Sequence, residues 1–196
     1  MNLPNKLTLF RVVLIPFFIL FLSIQTIPHW ALFALIIFAV AAITDHFDGA
    51  IARKYNLITN FGIFMDPFAD KLLVTSAIIM LVAMDLIPGW IAIVIIGREF
   101  AVSGLRTVAA KEGTVIAASN LGKIKTSLQM IAVVLLLIKL VLMTDPAFAG
   151  LYAGLTGESG FFLKLPDIVM IAAAIMTIYS GVDYFMKGWS VIDPSK

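Results

Sequence analysis

Four aspartates lie close together in a chain in which only 13% of residues are charged. Asp45 and Asp48 are three residues apart, so on a helix their side chains share one face. Asp66 and Asp70 are four residues apart, and the same holds for them. Four acids this close cannot all ionise in an apolar setting without positive charge among them. The spacing therefore predicts a site that binds cations.

The residue type indicates which cations, and which chemistry. Hard divalent cations prefer carboxylate oxygens, and Mg²⁺ typically combines one or two carboxylates with the phosphates of a substrate. Two such ions about 4 Å apart can hold the attacking and the leaving oxygen of a phosphoryl transfer. Four aspartates on two adjoining helices supply enough ligands for two ions. The motif therefore indicates phosphoryl transfer.

Small residues and one arginine separate the two acidic pairs. Gly49 and Ala52 fall on the helical face of the first pair and leave space that larger side chains would fill. Arg53 lies one turn beyond Gly49 and can form a paired contact with phosphate oxygens. A pyrophosphate therefore fits beside the first acidic pair.

The rest of the chain must position this motif in a membrane. Of its 196 residues 61% are hydrophobic, and the mean hydropathy is +1.04. Its apolar runs are long enough to span a bilayer, which takes about 20 residues per helix. The formal net charge of +2 argues against nucleic acid as a partner. The absence of cysteine excludes disulfides, zinc–thiolate sites and thiol catalysis.

The hydrophobic pattern predicts an all-α integral membrane protein with six transmembrane helices, preceded by a short interfacial helix over residues 1–11. The first two spans are expected at about residues 12–27 and from residue 30 into the acidic motif. The others are expected to begin near residues 62–67, 90, 127 and 166 and to end near residues 84, 110, 143 and 186. The positive-inside rule places both termini and the motif in the cytoplasm. A cell-membrane protein with a cytoplasmic active site follows.

The motif reads D-x-x-D-G-x-x-A-R, then eight residues, then G-x-x-x-D-x-x-x-D. It resembles the signature of the CDP-alcohol phosphatidyltransferases at every fixed position, namely Asp45, Asp48, Gly49, Ala52, Arg53, Gly62, Asp66 and Asp70. The resemblance covers essentially the whole chain, which implies one membrane domain of this family over residues 1–196, with the catalytic motif at 45–70. The stretches NLPNKLTLFRVVLIP, GREFAVSGLR and LGKIKT are similar to the branch that makes phosphatidylglycerophosphate.

What this resemblance implies is a direct displacement assisted by two divalent cations, Mg²⁺ or Mn²⁺. CDP-diacylglycerol is the donor, and the 1-hydroxyl of sn-glycerol-3-phosphate attacks its β-phosphorus. CMP leaves, and phosphatidylglycerophosphate stays in the membrane. The family likeness also implies a homodimer.

The resemblance also implies roles for individual residues. Asp45, Asp48 and Asp66 would hold the metals. Asp70 would act as the general base and as a further metal ligand. Gly49 and Arg53 would contact the pyrophosphate of CDP-diacylglycerol. The same pocket would include three more residues, Asn5, Thr8 and Thr59.

An acceptor that carries its own phosphate needs cations near the inner surface. The segment Arg106–Thr126 is polar and basic, and Arg98 can reach towards it from the fourth predicted span. The candidates for binding the acceptor phosphate are Arg106, Lys123, Lys125 and Arg98.

Simpler interpretations stay open for some of these residues. Asp66 precedes a proline, which is also a common way to begin a helix. Lys123 and Lys125 could serve only as charges that set the membrane topology. Arg98 and Glu99 could form a structural ion pair within the membrane.

Alternative functions stay open as well. An enzyme of the same family could use another acceptor, such as serine, inositol phosphate or phosphatidylglycerol. A cation- or proton-coupled transporter could use buried aspartates as its relay. A transporter should carry its acids near the middle of the membrane, whereas this motif lies towards one face and includes Arg53.

Overall fold

The computed structural model describes residues 2–54, 59–114, 116–117, 119–156 and 161–192. Within these ranges, the side chains of residues 3, 46–54, 60, 63, 64 and 190–192 lie outside the description. The described residues form α-helices and one short 3₁₀ helix, with no β-strand among them, which confirms the all-α prediction for this part of the chain. The α-helices are α1 (Leu3–Ser23), α2 (Trp30–Lys54), α3 (Asn60–Ala83), α4 (Gly89–Lys111), α5 (Asn120–Thr144), α6 (Ala149–Leu155) and α7 (Phe161–Ile192).

Side chains cap the two helices that begin near the predicted donor site. Asn2 precedes α1, and its Oδ1 accepts a hydrogen bond from the amide of Asn5 at 3.2 Å. Thr59 precedes α3, and its hydroxyl oxygen accepts from the amide of Gly62 at 3.1 Å. Such N-caps satisfy amide groups that a helix leaves without an internal partner. The caps thus hold the first turns of α1 and α3, where several predicted site residues lie.

The helices pack in two groups. α1 lies against α2 and α3, α7 lies against α4 and α5, and α2 contacts α5 between them. The core includes the fully buried rings of Phe18 and Phe38, whose centroids are 5.7 Å apart. Leu22, Ile78 and Leu136 are buried in the same cluster. Because lipid is as apolar as these side chains, close packing is the main force that holds such a core together in a membrane.

The outer surface of the bundle is also apolar. Ile93, Phe100 and Met186 are among many large apolar side chains that are largely exposed, and soluble proteins rarely carry large patches of this kind. By length and composition, three described segments can cross a membrane, namely Pro4–Ser23, Asn120–Thr144 and Phe161–Trp189. These features fit a membrane protein.

The predicted count of six spans is confirmed only in part. Six of the described α-helices contain between 21 and 32 residues. Helices of 20 residues or more are about as long as the membrane core is thick. However, α2, α3 and α4 are not among the three segments that meet the criteria of length and composition. The six spans and the cytoplasmic termini stay predictions.

Several boundaries differ from the prediction. The interfacial helix of residues 1–11 is not separate, because α1 runs unbroken from Leu3 to Ser23. Pro4 lies in its first turn, where its missing amide donor does no harm, so nothing divides the polar start from the apolar run. α5 begins at Asn120 rather than near residue 127, since Ser119 caps it through the amide of Gly122. α6 lies between the fifth and sixth predicted spans, where no helix was predicted.

Asp66 does not cap a helix. α3 begins at Asn60 with Thr59 as its N-cap, and Asp66 lies inside it. Pro67 follows within the same helix and removes one amide donor from it, so the carbonyl four residues earlier loses its helical partner. The interpretation of Asp66 as the start of a helix is therefore wrong, and its side chain does not contact the amides that an N-cap residue would.

Candidate active site

The beginnings of α1 and α3 meet in a polar cluster. The hydroxyl of Thr8 donates to Oδ1 of Asp66 at 2.7 Å. The hydroxyl of Thr59 donates to Oδ1 of Asn5 at 2.9 Å. Asn5 and Thr8 are buried. The structure thus brings together the three residues expected in the donor pocket and one of the predicted metal ligands.

Gly62 is closely surrounded by this cluster. A Cβ atom at this position would lie 3.2 Å from Oδ1 of Asn5 and 3.4 Å from the hydroxyl oxygen of Thr59. It would also lie 3.6 Å from Oδ2 of Asp66. The first distance is tight enough that even alanine would require Oδ1 of Asn5 to move by a few tenths of an ångström, which favours glycine at this position of the motif.

Asp45 in α2 pairs with Arg11 in α1. The side chain of Arg11 is 0% exposed, and its Nη1 forms an ion pair with Oδ1 of Asp45. The acidic motif predicted positive charge among the aspartates, but Arg11 was not identified as one source of it. The sequence did contain a signal for this role, since Arg11 leads into an apolar span and an ionisable residue in such a span is functional by default.

The remaining residues of the motif are described only in part. Asp48, Gly49 and Arg53 lie in α2 by their backbone, but their side chains are outside the described residues. Among the side chains that are described, no group of three or more acids and histidines could hold a metal ion. Because the predicted ligand set includes Asp48, it stays a prediction.

The donor chemistry of the described aspartates fits divalent cations. Asp70 interacts electrostatically with Asp45. Asp66 reaches the start of α1 through Thr8. All three offer carboxylate oxygens, which hard cations prefer. The chemistry of these three carboxylates suits a divalent cation, but their described positions do not by themselves form a metal site.

A polar cavity of about 690 Å³ opens between α3, α4, α5 and α7. The exposed carboxylate of Asp70 lies in its wall, as does that of Glu99. Four cationic side chains line the same cavity, namely Lys71, Arg98, Arg106 and Lys123. This excess of positive charge favours an anionic ligand beside Asp70. Of the four predicted acceptor-binding residues, three therefore lie in one cavity.

The fourth, Lys125, is buried next to it. Its side chain is 2% exposed, and its ammonium forms an ion pair with Glu99. Glu99 also accepts a hydrogen bond from Nη1 of Arg98 at 3.1 Å, and Nη2 of Arg98 donates to Ser180 in α7. Lys125 and Asp70 line a smaller neighbouring cavity of about 40 Å³. Lys125 is therefore more than a surface charge that sets topology, and Glu99 has the structural pairing that the sequence suggested.

Two residues of the large cavity were missed in the sequence. Lys71 follows Asp70 directly, and its ammonium donates to the hydroxyl of Ser103. Tyr184 in α7 accepts a hydrogen bond from Nη2 of Arg106, a residue 78 positions earlier, at 3.0 Å. The position of Lys71 beside Asp70 was a usable signal. Nothing in the local sequence around Tyr184 indicates its contact.

The fold and the cavity define a helical membrane protein whose polar site suits an anionic ligand. A family comparison then identifies the kind of protein more closely. The sequence model of the CDP-alcohol phosphatidyltransferases matches residues 1–179, and the chain belongs to this family, as the motif predicted. It is a family of phosphotransferases that generally depend on divalent cations.

Similar curated proteins cover nearly the whole chain. The CDP-diacylglycerol–glycerol-3-phosphate 3-phosphatidyltransferase of Bacillus subtilis (strain 168) is 44% identical over 99% of this chain and 98% of its own. The Escherichia coli (strain K12) protein of the same name is 39% identical over 93% of this chain and 92% of its own. The probable phosphatidylglycerophosphate synthase of Mycobacterium tuberculosis (strain ATCC 25618 / H37Rv) is 40% identical over 95% of this chain and 81% of its own.

Proposed function

We propose that this protein transfers the phosphatidyl group of CDP-diacylglycerol to the 1-hydroxyl of sn-glycerol-3-phosphate. The products are phosphatidylglycerophosphate and CMP. The observation that carries the proposal is that the carboxylate of Asp70 shares one cavity with four cationic side chains. A proton acceptor beside a cationic site suits an alcohol that carries a phosphate. Relatives that match nearly the whole chain are named for this activity.

The donor is proposed to bind at the polar cluster formed by the beginnings of α1 and α3. Asn5, Thr8 and Thr59 offer the hydroxyl and amide groups that hydrogen-bond a nucleotide. Gly49 and Arg53 would contact the pyrophosphate, since a guanidinium can bind two phosphate oxygens at once. The close approach around Gly62 supports a pocket with little spare volume.

The cofactors are proposed to be two divalent cations, Mg²⁺ or Mn²⁺, held by Asp45, Asp48, Asp66 and Asp70. When bound, they supply charge neutralisation for the transferring phosphoryl group. Two contacts support the positions of the ligands: Thr8 orients Asp66, and Arg11 orients Asp45. A carboxylate that is already oriented loses less entropy when it binds a cation. In other metal sites, too, hydrogen-bond partners of the ligands orient them in this way.

Asp70 is proposed to act as the general base. Its carboxylate accepts the proton of the 1-hydroxyl while that oxygen forms its bond to the β-phosphorus. The bond between the β-phosphorus and the oxygen of CMP breaks, and CMP leaves with the bonding electrons. Because little covalent chemistry falls to the protein in such a transfer, positioning and electrostatics supply most of the rate.

The acceptor phosphate is proposed to bind Arg106, Lys123, Lys125 and Arg98. Arg106 and Lys123 are exposed towards the cavity, whereas Arg98 lies deeper between α4 and α7. Lys125 adds its charge from the wall, beside Asp70. Free serine carries no phosphate, so this lining favours glycerol-3-phosphate over serine.

We also propose a multi-pass protein of the cell membrane whose active site faces the cytoplasm. The distribution of lysine and arginine supports this orientation through the positive-inside rule. The homodimer that the family likeness implies is part of the same proposal.

The test is an acceptor assay with the purified protein in detergent. CDP-diacylglycerol and Mg²⁺ or Mn²⁺ are supplied, and CMP release is measured with each acceptor in turn. Glycerol-3-phosphate should support turnover, and a chelator or Asp70→Asn should abolish it. Turnover with serine, inositol phosphate or phosphatidylglycerol but none with glycerol-3-phosphate would overturn the choice of acceptor.

Asp85→Asn is the matched control for Asp70→Asn. Asp85 is exposed just beyond the other end of α3, and its φ of 56° suits asparagine as well as aspartate. This variant should keep full activity. If both variants lose activity equally, Asp70 has no special role as a base.

A further inference from the structure

Tyr184 connects three parts of the acceptor cavity. It lies in α7 and is 3% exposed, in a small buried cluster with Val102 and Leu105 of α4. The hydroxyl oxygen accepts one hydrogen bond from Nη2 of Arg106 at 3.0 Å. It accepts a second from the backbone amide of Ser119 at 3.0 Å. One buried hydroxyl thus joins α7 to α4 and to the N-cap of α5.

The ring of Tyr184 also contacts two guanidinium groups. The Cζ atoms of Arg98 and Arg106 each lie 5.2 Å from the centroid of the ring. Two cations that share a cavity repel each other, and the electron-rich face of an aromatic ring attracts both. The ring therefore stabilises two like charges within one site.

Tyr184 also packs against the first turn of α5. A Cβ atom added at Gly122 would lie 3.3 Å from Cε2 and 3.3 Å from the hydroxyl oxygen of Tyr184. The next residue, Lys123, lines the same cavity as the two arginines. The position of Lys123 therefore depends on how α5 begins, and Tyr184 contributes to that beginning.

We propose that Tyr184 is a positioning residue for the acceptor phosphate. It holds Arg98 and Arg106 in fixed orientations and anchors the turn that carries Lys123, without touching the reacting atoms itself. The inference rests on the proposed function, because it assumes that these cations bind the phosphate of glycerol-3-phosphate. Arginine and lysine side chains lose much rotamer freedom when they bind, and orienting them beforehand reduces that cost.

The test compares two tyrosines of the same helix. Tyr184→Phe keeps the ring and removes the hydroxyl, and Tyr179→Phe makes the same change at a residue that is 64% exposed. Tyr184→Phe should raise the KM for glycerol-3-phosphate about tenfold, the effect of losing one hydrogen bond to a charged group. The kcat and the KM for CDP-diacylglycerol should stay close to those of the unchanged enzyme, and Tyr179→Phe should change none of the three.

A double variant tests the route of the effect. Arg106→Gln alone should raise the KM for glycerol-3-phosphate. Tyr184→Phe combined with Arg106→Gln should raise this KM by clearly less than the two separate effects together, because one of the two hydrogen bonds of the tyrosine hydroxyl goes to Arg106. Fully additive effects would overturn the inference. An equal change of both KM values and of kcat in Tyr184→Phe would overturn it too, since it would indicate a general structural role.

Failure of this inference differs from failure of the proposed function. If Arg106→Gln leaves the KM for glycerol-3-phosphate unchanged, the proposed acceptor site is wrong. If Arg106→Gln raises that KM and Tyr184→Phe does not, the acceptor site stands and the positioning role is wrong. Thermal unfolding of each detergent-solubilised variant should give a somewhat lower midpoint for Tyr184→Phe than for Tyr179→Phe, because the buried amide of Ser119 loses its acceptor. A Tyr184→Phe protein that is already partly unfolded at the assay temperature would assign the effect to folding and overturn the inference.

Discussion

Arg11 in α1 forms an ion pair with Asp45 in α2, and the arginine side chain is completely buried. The first helix therefore supplies positive charge to the acidic motif. Charge that the aspartates need for ionisation comes at least partly from the protein itself. The pair also connects α1 to the part of α2 in which the motif begins.

Arg11→Met should destabilise the protein by about 2 kcal/mol, because it leaves a carboxylate without its counter-charge. The effect stays below that of a fully buried pair, since Asp45 is 42% exposed. Thermal unfolding in detergent measures it. Lys6→Met, at an exposed residue of the same helix, should leave the unfolding midpoint unchanged. Equal midpoints for both variants would show that the ion pair contributes nothing to stability.

Thr8→Val should raise the KM for CDP-diacylglycerol about tenfold, since it removes a hydrogen bond to a carboxylate while keeping the shape of the side chain. The bond in question is the 2.7 Å contact from Thr8 to Asp66. Thr8→Ser keeps the hydroxyl and should behave like the unchanged enzyme. Steady-state kinetics at saturating acceptor decide the matter, and equal KM values for Val and Ser variants would argue against a role for the hydroxyl.

Gly62→Ala should also weaken the donor site. The added Cβ would lie 3.2 Å from Oδ1 of Asn5, so the amide must move by a few tenths of an ångström. Gly104→Ala in α4 is the control, because a Cβ there meets no atom within 4 Å. Both changes should favour the helix by about 1 kcal/mol. A rise in the KM for CDP-diacylglycerol in Gly62→Ala alone would therefore show the effect of crowding. Equal KM values in the two variants would contradict the crowding at Gly62.

The stability of the segment after α5 should depend on pH through Asp145. A hydrogen bond with Nδ1 of His29 at 2.7 Å lowers the pKa of Asp145, and the amide of Ala147 acts in the same direction. Because the pKa of Asp145 in the folded state lies below its ordinary value of 3.8, the stabilisation is present above pH 3.8 and is lost as pH falls through the lowered pKa.

Asp145→Asn should therefore flatten the dependence of the unfolding midpoint on pH at the acid end. Asp85→Asn, at an exposed turn, is the control and should leave the dependence as it is. Thermal unfolding in detergent, scanned downward from neutral pH, measures both. An identical acid dependence in Asp145→Asn and the unchanged protein would contradict the role of the His29 contact.

Structural features that depend on residues near one another in the chain could be predicted from the sequence. The helical class and the apolar surface follow from hydrophobic periodicity, and the grouping of the aspartates follows from spacing. Boundaries were less accurate. Asn2, Thr59 and Ser119 cap helices earlier than the apolar runs begin, because an N-cap depends on one local hydrogen bond rather than on hydropathy.

The sequence by itself determined the family motif, the helical membrane character and the pairing of acids along two helices. Only the tertiary structure decided that Arg11 reaches Asp45 and that Tyr184 reaches Arg106. The physical reason is that such contacts depend on how whole helices cross and rotate against one another. Those angles come from the packing of many side chains together, and spacing within one helix does not contain them.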